Sequence, residues 1–284
     1  MKLVESGPLR GVIRIRKHFQ NSTFVQDVTL DDGSARVDLK MHVDWQEKHI
    51  LLKVAFPVSA HSDHATYEIP YGSVERPTTR NTPAEKAQFE VPAQRWADIS
   101  DDKHGLSLLN DCKYGYDAKG NVLRLSLLRS PEWPDPHADE GEHDFTYSLF
   151  PHAGGWKQGL TIRQGYELNY KLLALPTEKH EGALPPTHSF VRTDSNNVII
   201  SAVKKAEDDS ALILRFYEWA GQSGDVKLQI PPGATSAAAA DLMERPEQSV
   251  RLQGETVIVP TKPYEIKTVK VQYGPTAPSG PAQP

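Results

Sequence analysis

Arg36–Trp45 reads RVDLKMHVDW. Val37, Leu39, Met41, Val43 and Trp45 fall on one side of an extended chain, and Arg36, Asp38, Lys40, His42 and Asp44 on the other. Strict alternation over ten residues is the period of a strand with one wet face, not of a helix. The stretches around it repeat the signal. GVIRIRKH sets Val12 beside alternating Ile13, Arg14, Ile15 and Arg16. DDGS at 31–34 is a turn, with Gly33 free to take a positive φ. HILLKVAFPV follows after QEK, so 35–58 is expected to be a hairpin, with Pro57 ending its ladder.

Further on, 59–102 is expected to be loop-rich, with Pro70, Pro77, Pro83 and Pro92. GLSLLND and NVLRLSLLRS read as strands flanking a turn, CKYGYDAKG. HDFTYSLFPH is another strand, with Phe145, Tyr147 and Leu149 on one face. GWKQGLTIRQGYELNYKLL is the one helix candidate. After a linker at 176–190 come NVIISAVKKA, ALILRFYEWA, DVKLQI, SVRLQ, ETVIVP and EIKTVKVQY, short strands with the rhythm of a small antiparallel sandwich over 191–273. SAAAADLMER reads as a connection, and 274–284 (GPTAPSGPAQP) as a disordered tail by composition. The fold class expected is therefore all-β, with a first domain over 1–175.

The chain has 284 residues, a net charge of −5 with both signs interspersed, and one cysteine, Cys112. No basic footprint suggests nucleic acid. No apolar run approaches the roughly 20 residues that span a bilayer, and MKLVESGPLRG has no apolar signal core. A single cysteine fits a reducing compartment, so a cytoplasmic location is expected.

Three Asp, three Glu, two His and one Arg crowd into RSPEWPDPHADEGEHDF, Arg129–Phe145. His137, Asp139 and His143 lie within seven residues; HSDH adds His61, Asp63 and His64. A zinc site needs three or four ligands converging at about 2.0–2.2 Å, and neither cluster has a helical histidine pair or cysteine pair to pin that geometry. The solvated-loop reading is taken for both, and no metal site is expected. Asp135, Asp139, Glu140, Glu142 and Asp144 are all candidates for a glycosidase carboxylate pair, and spacing selects none of them. Arg129 ends an alternating strand (Leu123, Leu125, Leu127) at the mouth of this loop. Its planar fork is placed either to clamp hydroxyls or to pair with a loop acid. Tyr67, Tyr71, Trp96, Tyr114, Tyr116 and Trp133 suit either a sugar-stacking rim or sandwich packing. The sequence carries no phosphate-cradling glycine loop, dinucleotide fingerprint or nucleophile elbow.

YEIPYGSVERPTTRNTPAEKAQFEVPAQRWADISD (67–101) and GLSLLNDCKYGYDAKGNVLRLSLLRSPEWPDPHADEGEHDFTYSLFPH (105–152) resemble the C-terminal half of glycoside hydrolase family 38 α-mannosidases, of the cytosolic and bacterial branch. The resemblance runs from near GPLRGVIRI to about Tyr273. It implies a large supersandwich-like β-domain followed by a smaller β-sandwich. In that family an N-terminal β/α domain and a helical bundle supply the zinc ligands and the aspartate nucleophile, and a covalent mannosyl-enzyme gives retention. Nothing here resembles the family's N-terminal His-x-Asp motif, and HSDH lies in the β-region, so no ligand role is carried to it. The resemblance thus implies no catalytic residue and no cofactor in this chain, with zinc in a catalytic half lying outside it. The isolated chain is expected to be inactive. The partners implied are that catalytic half and a mannose-containing oligosaccharide. Arg129 matches an arginine that the family's β-half brings to the active-site rim. Tyr114, Asp139, Asn110 and Asp111 are further rim candidates. A stand-alone carbohydrate-binding module and a purely structural β-half are the alternatives.

Overall fold

A computed structural model describes residues 1–274; the expected tail beyond 274 lies outside them. The chain divides into two compact units that meet at Ala174 and Leu175, and each is described by itself.

The strands of the first unit are β1 (Lys2–Ser6), β2 (Arg10–Phe19), β3 (Ser22–Asp31), β4 (Val37–Trp45), β5 (Leu52–Pro57), β6 (His64–Ile69), β7 (Gly72–Pro77), β8 (Val91–Pro92), β9 (Trp96–Ser100), β10 (His104–Asn110), β11 (Gly115–Lys119), β12 (Val122–Leu128) and β13 (Gly141–Ala153). They form two antiparallel sheets, one of nine strands in the order β1-β2-β3-β4-β13-β10-β9-β6-β7 and one of four in the order β5-β12-β11-β8. The alternation in β4 is realised as read. Leu39, Met41, Val43 and Trp45 are buried in a core they share with Phe145 and Tyr147 of β13 and with Tyr116, Leu123 and Leu125 of the smaller sheet. Register explains the partnership, since Met41 stands opposite Phe145 and Leu39 opposite Tyr147. On the other face, charges pair along and across strands, Arg14 with Asp27 at 2.7 Å and Arg36 with Asp38 at 2.7 Å, and the Ser148 hydroxyl donates to Asp38 at 2.7 Å.

Three expectations are corrected. The stretch 35–58 is not a hairpin: β4 belongs to the large sheet and β5 pairs with β12 of the small one. Two consecutive apolar strands can face each other across a core as well as pair edge to edge, and periodicity does not distinguish the cases. The stretch 59–102 is not mainly loop, because it contains β6 to β9 and a short helix, α1 (Pro83–Ala87), whose N-cap Thr82 accepts from the Glu85 N–H at 3.2 Å. Within CKYGYDAKG, residues 115–119 form β11, and the turn narrows to Gly120, at φ 57°.

The helical stretch becomes α2 (Trp156–Gly159) and α3 (Thr161–Asn169). They lie against β9, β10 and β13, on a sheet face that solvent would otherwise wet. Beneath them Asp98 and His152, each nearly inaccessible, are paired at 2.8 Å. Asp98 also accepts from Ser100 at 2.6 Å and Ser107 at 2.7 Å, and Ser107 meets Thr161 at 2.7 Å. Gly105 makes room for this, since a Cβ there would overlap Ser100 and the His152 ring.

In the second unit, β14 (Arg192–Thr193), β17 (Gly224–Gln229), β20 (Arg251–Gln253) and β21 (Thr256–Thr261) form one sheet. The other contains β15 (Val198–Lys205), β16 (Leu212–Glu218), β18 (Ala234–Ala240), β19 (Pro246–Ser249) and β22 (Ile266–Tyr273). Leu214, Phe216, Val226, Leu228, Val257, Val259, Val269 and Val271 make its core. The alanine run is a correction too. It forms β18, between β22 and β19, where pairing on both edges overrides alanine's poor strand propensity. Fully buried Glu218 accepts four hydrogen bonds, from Asn197 Nδ2 and the N–H groups of Ala220, Gly221 and Tyr264.

Burial opposes charge on His152, but Asp98 outweighs it and holds the imidazole above its ordinary pKa. A raised folded value stabilises fully below the unfolded value, about 6.5, and that contribution is lost as pH rises through the folded value. The first unit is therefore expected to lose stability as pH climbs from 6.5. His152→Gln is expected to flatten that dependence and to lower stability by about 2 kcal/mol at pH 6, read by urea titration with tryptophan fluorescence.

Candidate functional site

Two chain segments cross between the sheets of the first unit at the same end: 46–51, leaving β4, and 129–140, leaving β12. They are stitched together. The indole Nε1 of fully buried Trp45 donates to Ser130 Oγ at 2.7 Å, and the His49 N–H donates to the Ser130 carbonyl at 3.2 Å. Lys48 pairs with Glu140 at 3.1 Å and His49 with Glu132 at 2.9 Å. The acidic character of the loop thus answers basic residues on the neighbouring crossing.

Asp139 organises the loop entrance. Its Oδ2 accepts from the N–H groups of Arg129 at 2.9 Å and Ser130 at 2.8 Å. Its own φ is 66°, a conformation that Asp and Asn tolerate better than most residues. Burial opposes ionisation, yet those two N–H groups, with His143 and Lys113 nearby, hold the Asp139 carboxyl below the usual range. His143 Nε2 donates to the Asp139 carbonyl at 2.8 Å. The result is a fixed backbone at Arg129 and an exposed Arg129 side chain that has no hydrogen bond or ion pair among the described residues.

The 110–114 turn approaches the same place. Asp111 accepts from the Thr146 N–H with both carboxylate oxygens at 3.0 Å, and Lys113 Nζ lies 4.4 Å from the Phe145 ring centroid. Asn110 is buried. Its amide donates to Tyr116 and to the Gln94 carbonyl and accepts from the Lys113 N–H, so its polar atoms hold the turn. Tyr114 is exposed on the turn, and Trp133 is exposed on the acidic loop. Arg129, Asp139, Asp111 and the turn bearing Tyr114 therefore gather at one end of the sandwich. Asn110 and Asp111 face inward to backbone, and no direct contact joins Tyr114 to Arg129.

The remaining candidates separate. His61, Ser62 and Asp63 line a shallow cavity of about 420 Å³ with Thr78, Thr79, Gly120 and Asn121. That cavity sits beside the start of β12 and the acidic loop beside its end. At about 3.3 Å per residue the two are roughly 25 Å apart, too far for one metal centre. His137 pairs with Glu140 at 3.0 Å, and with Lys48 it lowers the Glu140 pKa. Asp135 accepts from the His137 N–H at 2.9 Å, and His42 meets Asp144 at 3.2 Å. Among the described residues no three His, Cys, Asp or Glu side chains converge as a metal requires. The donor set of the described residues does not fit zinc.

Sequence reading missed Ser130, Lys48 and Lys113. Ser130 had one signal, a polar residue ending an apolar strand beside a proline. Lys48 and Lys113 had none, because their partners are 92 and 26 residues away in the chain.

Residues 1–137 match the family profile described as "Glycosyl hydrolases family 38 C-terminal domain", and residues 197–269 the one described as "Glycosyl hydrolases family 38 C-terminal beta sandwich domain". The chain is 43% identical over 235 residues to alpha-mannosidase 2C1 of Homo sapiens, matching 82% of this chain and 22% of that protein. It is 36% identical over 280 residues to alpha-mannosidase G of Dictyostelium discoideum, matching 95% of this chain and 26% of that protein. It thus spans about a quarter of the length of these curated relatives. A solved alpha-mannosidase from Enterococcus faecalis V583 shares the fold, with TM-score 0.81 and 20% identity, over 95% of this chain and 35% of that one. Together these place the chain in glycosyl hydrolase family 38, as a C-terminal portion made of that family's β-domains.

Proposed function

We propose that this chain is the C-terminal β-half of a retaining α-mannosidase that removes terminal α-D-mannosyl residues from oligosaccharides in the cytoplasm. The zinc ligands and the aspartate nucleophile belong to the catalytic half. This half supplies a sugar-binding rim and support for the partner. The observation that carries the reading is Arg129: an exposed, unengaged guanidinium whose backbone is fixed by Asp139 and by the Trp45–Ser130 hydrogen bond. A guanidinium with no internal partner offers five donors to hydroxyl oxygens, and a fixed base limits the entropy lost when it binds them. Tyr114 and the Asp139-anchored loop complete the rim, while Asp111 and Asn110 shape the turn behind it.

A second reading is favoured by one feature. Trp133 and Tyr114 stand exposed on the two segments beside Arg129, and aromatic faces stack on sugar C–H surfaces. A carbohydrate-binding role without chemistry would use the same rim.

The purified chain is expected to show no hydrolysis of a nitrophenyl α-mannoside and to gain it only when joined by a family 38 catalytic half. In that assembled enzyme, Arg129→Ala is expected to lower kcat/KM by about tenfold to a hundredfold, the equivalent of losing one or two charge-assisted hydrogen bonds, and Arg129→Lys by less. Unchanged kinetics would leave only a structural role. Asp139→Ala removes the acceptor for two N–H groups and puts alanine at a positive φ. It is expected to lower the melting temperature and reproduce most of the Arg129→Ala defect, with Asp139→Asn intermediate. Because the Asp139 pKa is depressed, its contribution is present above the unfolded value near 3.9 and is lost as pH falls through the folded one. The wild-type and Asp139→Asn melting curves should therefore converge under acid.

A further inference from the structure

The two sheets of the first unit are unequal. The nine-stranded sheet runs three strands, β1 to β3, past β4 on one side. The four-stranded sheet ends on that side at β5, whose second edge has no strand neighbour among the described residues. Cross-strand register places Ile13, Ile15, Lys17 and Phe19 of β2 on the same face as Val28, Gln26, Phe24 and Ser22 of β3, and that face continues the inner face of β4. An inner sheet face is apolar because it is meant to be covered. Here the cover stops short: Phe19 is 43% exposed, Ile13 39% and, on β1, Leu3 61%. The gap is a cleft of about 730 Å³, floored by Ile15, Phe19, Phe24 and Met41 and walled by Leu51 and Val54.

We infer that this cleft is an acceptor for polypeptide strands, and that the occupant is an extended segment of the enzyme portion that the longer relatives possess and this chain does not span. The inference rests on the proposed function and names the surface through which the two portions meet. Three observations select that occupant. The relatives are about four times as long as their match to this chain, so a large body of polypeptide is available. The unpaired edge of β5 presents backbone donors and acceptors of the kind a strand satisfies. The overhang is three strands wide, about 14 Å at the usual strand spacing, so two or three added strands would extend the small sheet to the limit of the large one. The added strands would carry apolar residues at alternate positions, facing Ile13, Ile15, Phe19 and Phe24.

The experiment is hydrogen exchange on the full chain, alone and mixed with the portion of Homo sapiens alpha-mannosidase 2C1 outside its similarity to this chain, produced as a separate polypeptide. The expected result is a one-to-one complex in which the amides of 52–56 exchange at least tenfold more slowly than in the chain alone. Phe19→Asp and Leu51→Asp, at half-exposed positions, should each weaken the complex at least tenfold. Because the exchange is read on the unsubstituted chain, misfolding of either variant does not remove the test. A complex that leaves the exchange of 52–56 unchanged overturns the inference and leaves the proposed function standing. No complex overturns both. A homodimer that protects 52–56 makes a second copy the occupant and overturns the assignment.

Discussion

The hydrogen bond from the Trp45 indole to Ser130 joins the last residue of a strand in one sheet to the second residue beyond a strand in the other. It forms where solvent does not reach, so an unpartnered indole N–H there would cost about 1–3 kcal/mol. Everything at that end of the first unit is referenced to it. The 46–51 crossing is fixed on one side and the acidic loop on the other, and Asp139 then clamps the two N–H groups nearest the pin. The adjoining β2–β3 turn is tied in as well, through buried Glu47, which accepts from Ser22 Oγ and the Asn21 N–H at 2.8 Å each. The order of dependence runs from core to surface: a buried aromatic sets a hydroxyl, the hydroxyl sets a loop, and the loop presents an arginine.

The same end of the sandwich explains why the acidic stretch resisted a functional reading from sequence. Its residue types were those of a metal site or a carboxylate pair, but most of the groups concerned are engaged locally. Asp139 caps backbone, Glu140 takes His137 and Lys48, Glu132 takes His49, and Asp144 takes His42. Many carboxylates in one loop raise the local negative potential, and folding relieves it by bringing basic groups from another segment. The cation at the loop's start, Arg129, is not drawn into these pairs. Composition points to the crowd, whereas the geometry points to a guanidinium without a partner among the described residues.

Legibility followed the range of the interactions. The face of β4, the inward side of β13 and the short strands of the second unit were readable because side-chain alternation is a local property of the backbone. Strand partners were not. Whether β5 folds back on β4 or crosses to the opposite sheet depends on β12, some 70 residues away, and the period of two is the same in either case. Ala234–Ala240 misled for a related reason: alanine's propensity argues against a strand, but two pairing edges decide it. At the site, Arg129 was singled out from its place at the end of an alternating strand, with the family resemblance suggesting the rim role proposed for it. Asn110 and Asp111 share its neighbourhood, and nothing in NDCKYGY marks their side chains as turned toward backbone.

Sheet asymmetry connects these points to function. A nine-stranded sheet covered by only four strands leaves apolar surface that a free-standing domain would be expected to bury. Burying it by widening the small sheet would add strands beside β5, whose N-terminal end adjoins the 46–51 crossing. Strands added there would stiffen the segment that holds Lys48 and His49, and through them the loop that positions Arg129. Completion of the β-sandwich and formation of the rim are then coupled through a short, contiguous piece of chain. On this view the unpartnered arginine and the uncovered sheet face are both surfaces prepared for the catalytic half, one for its substrate and one for its backbone.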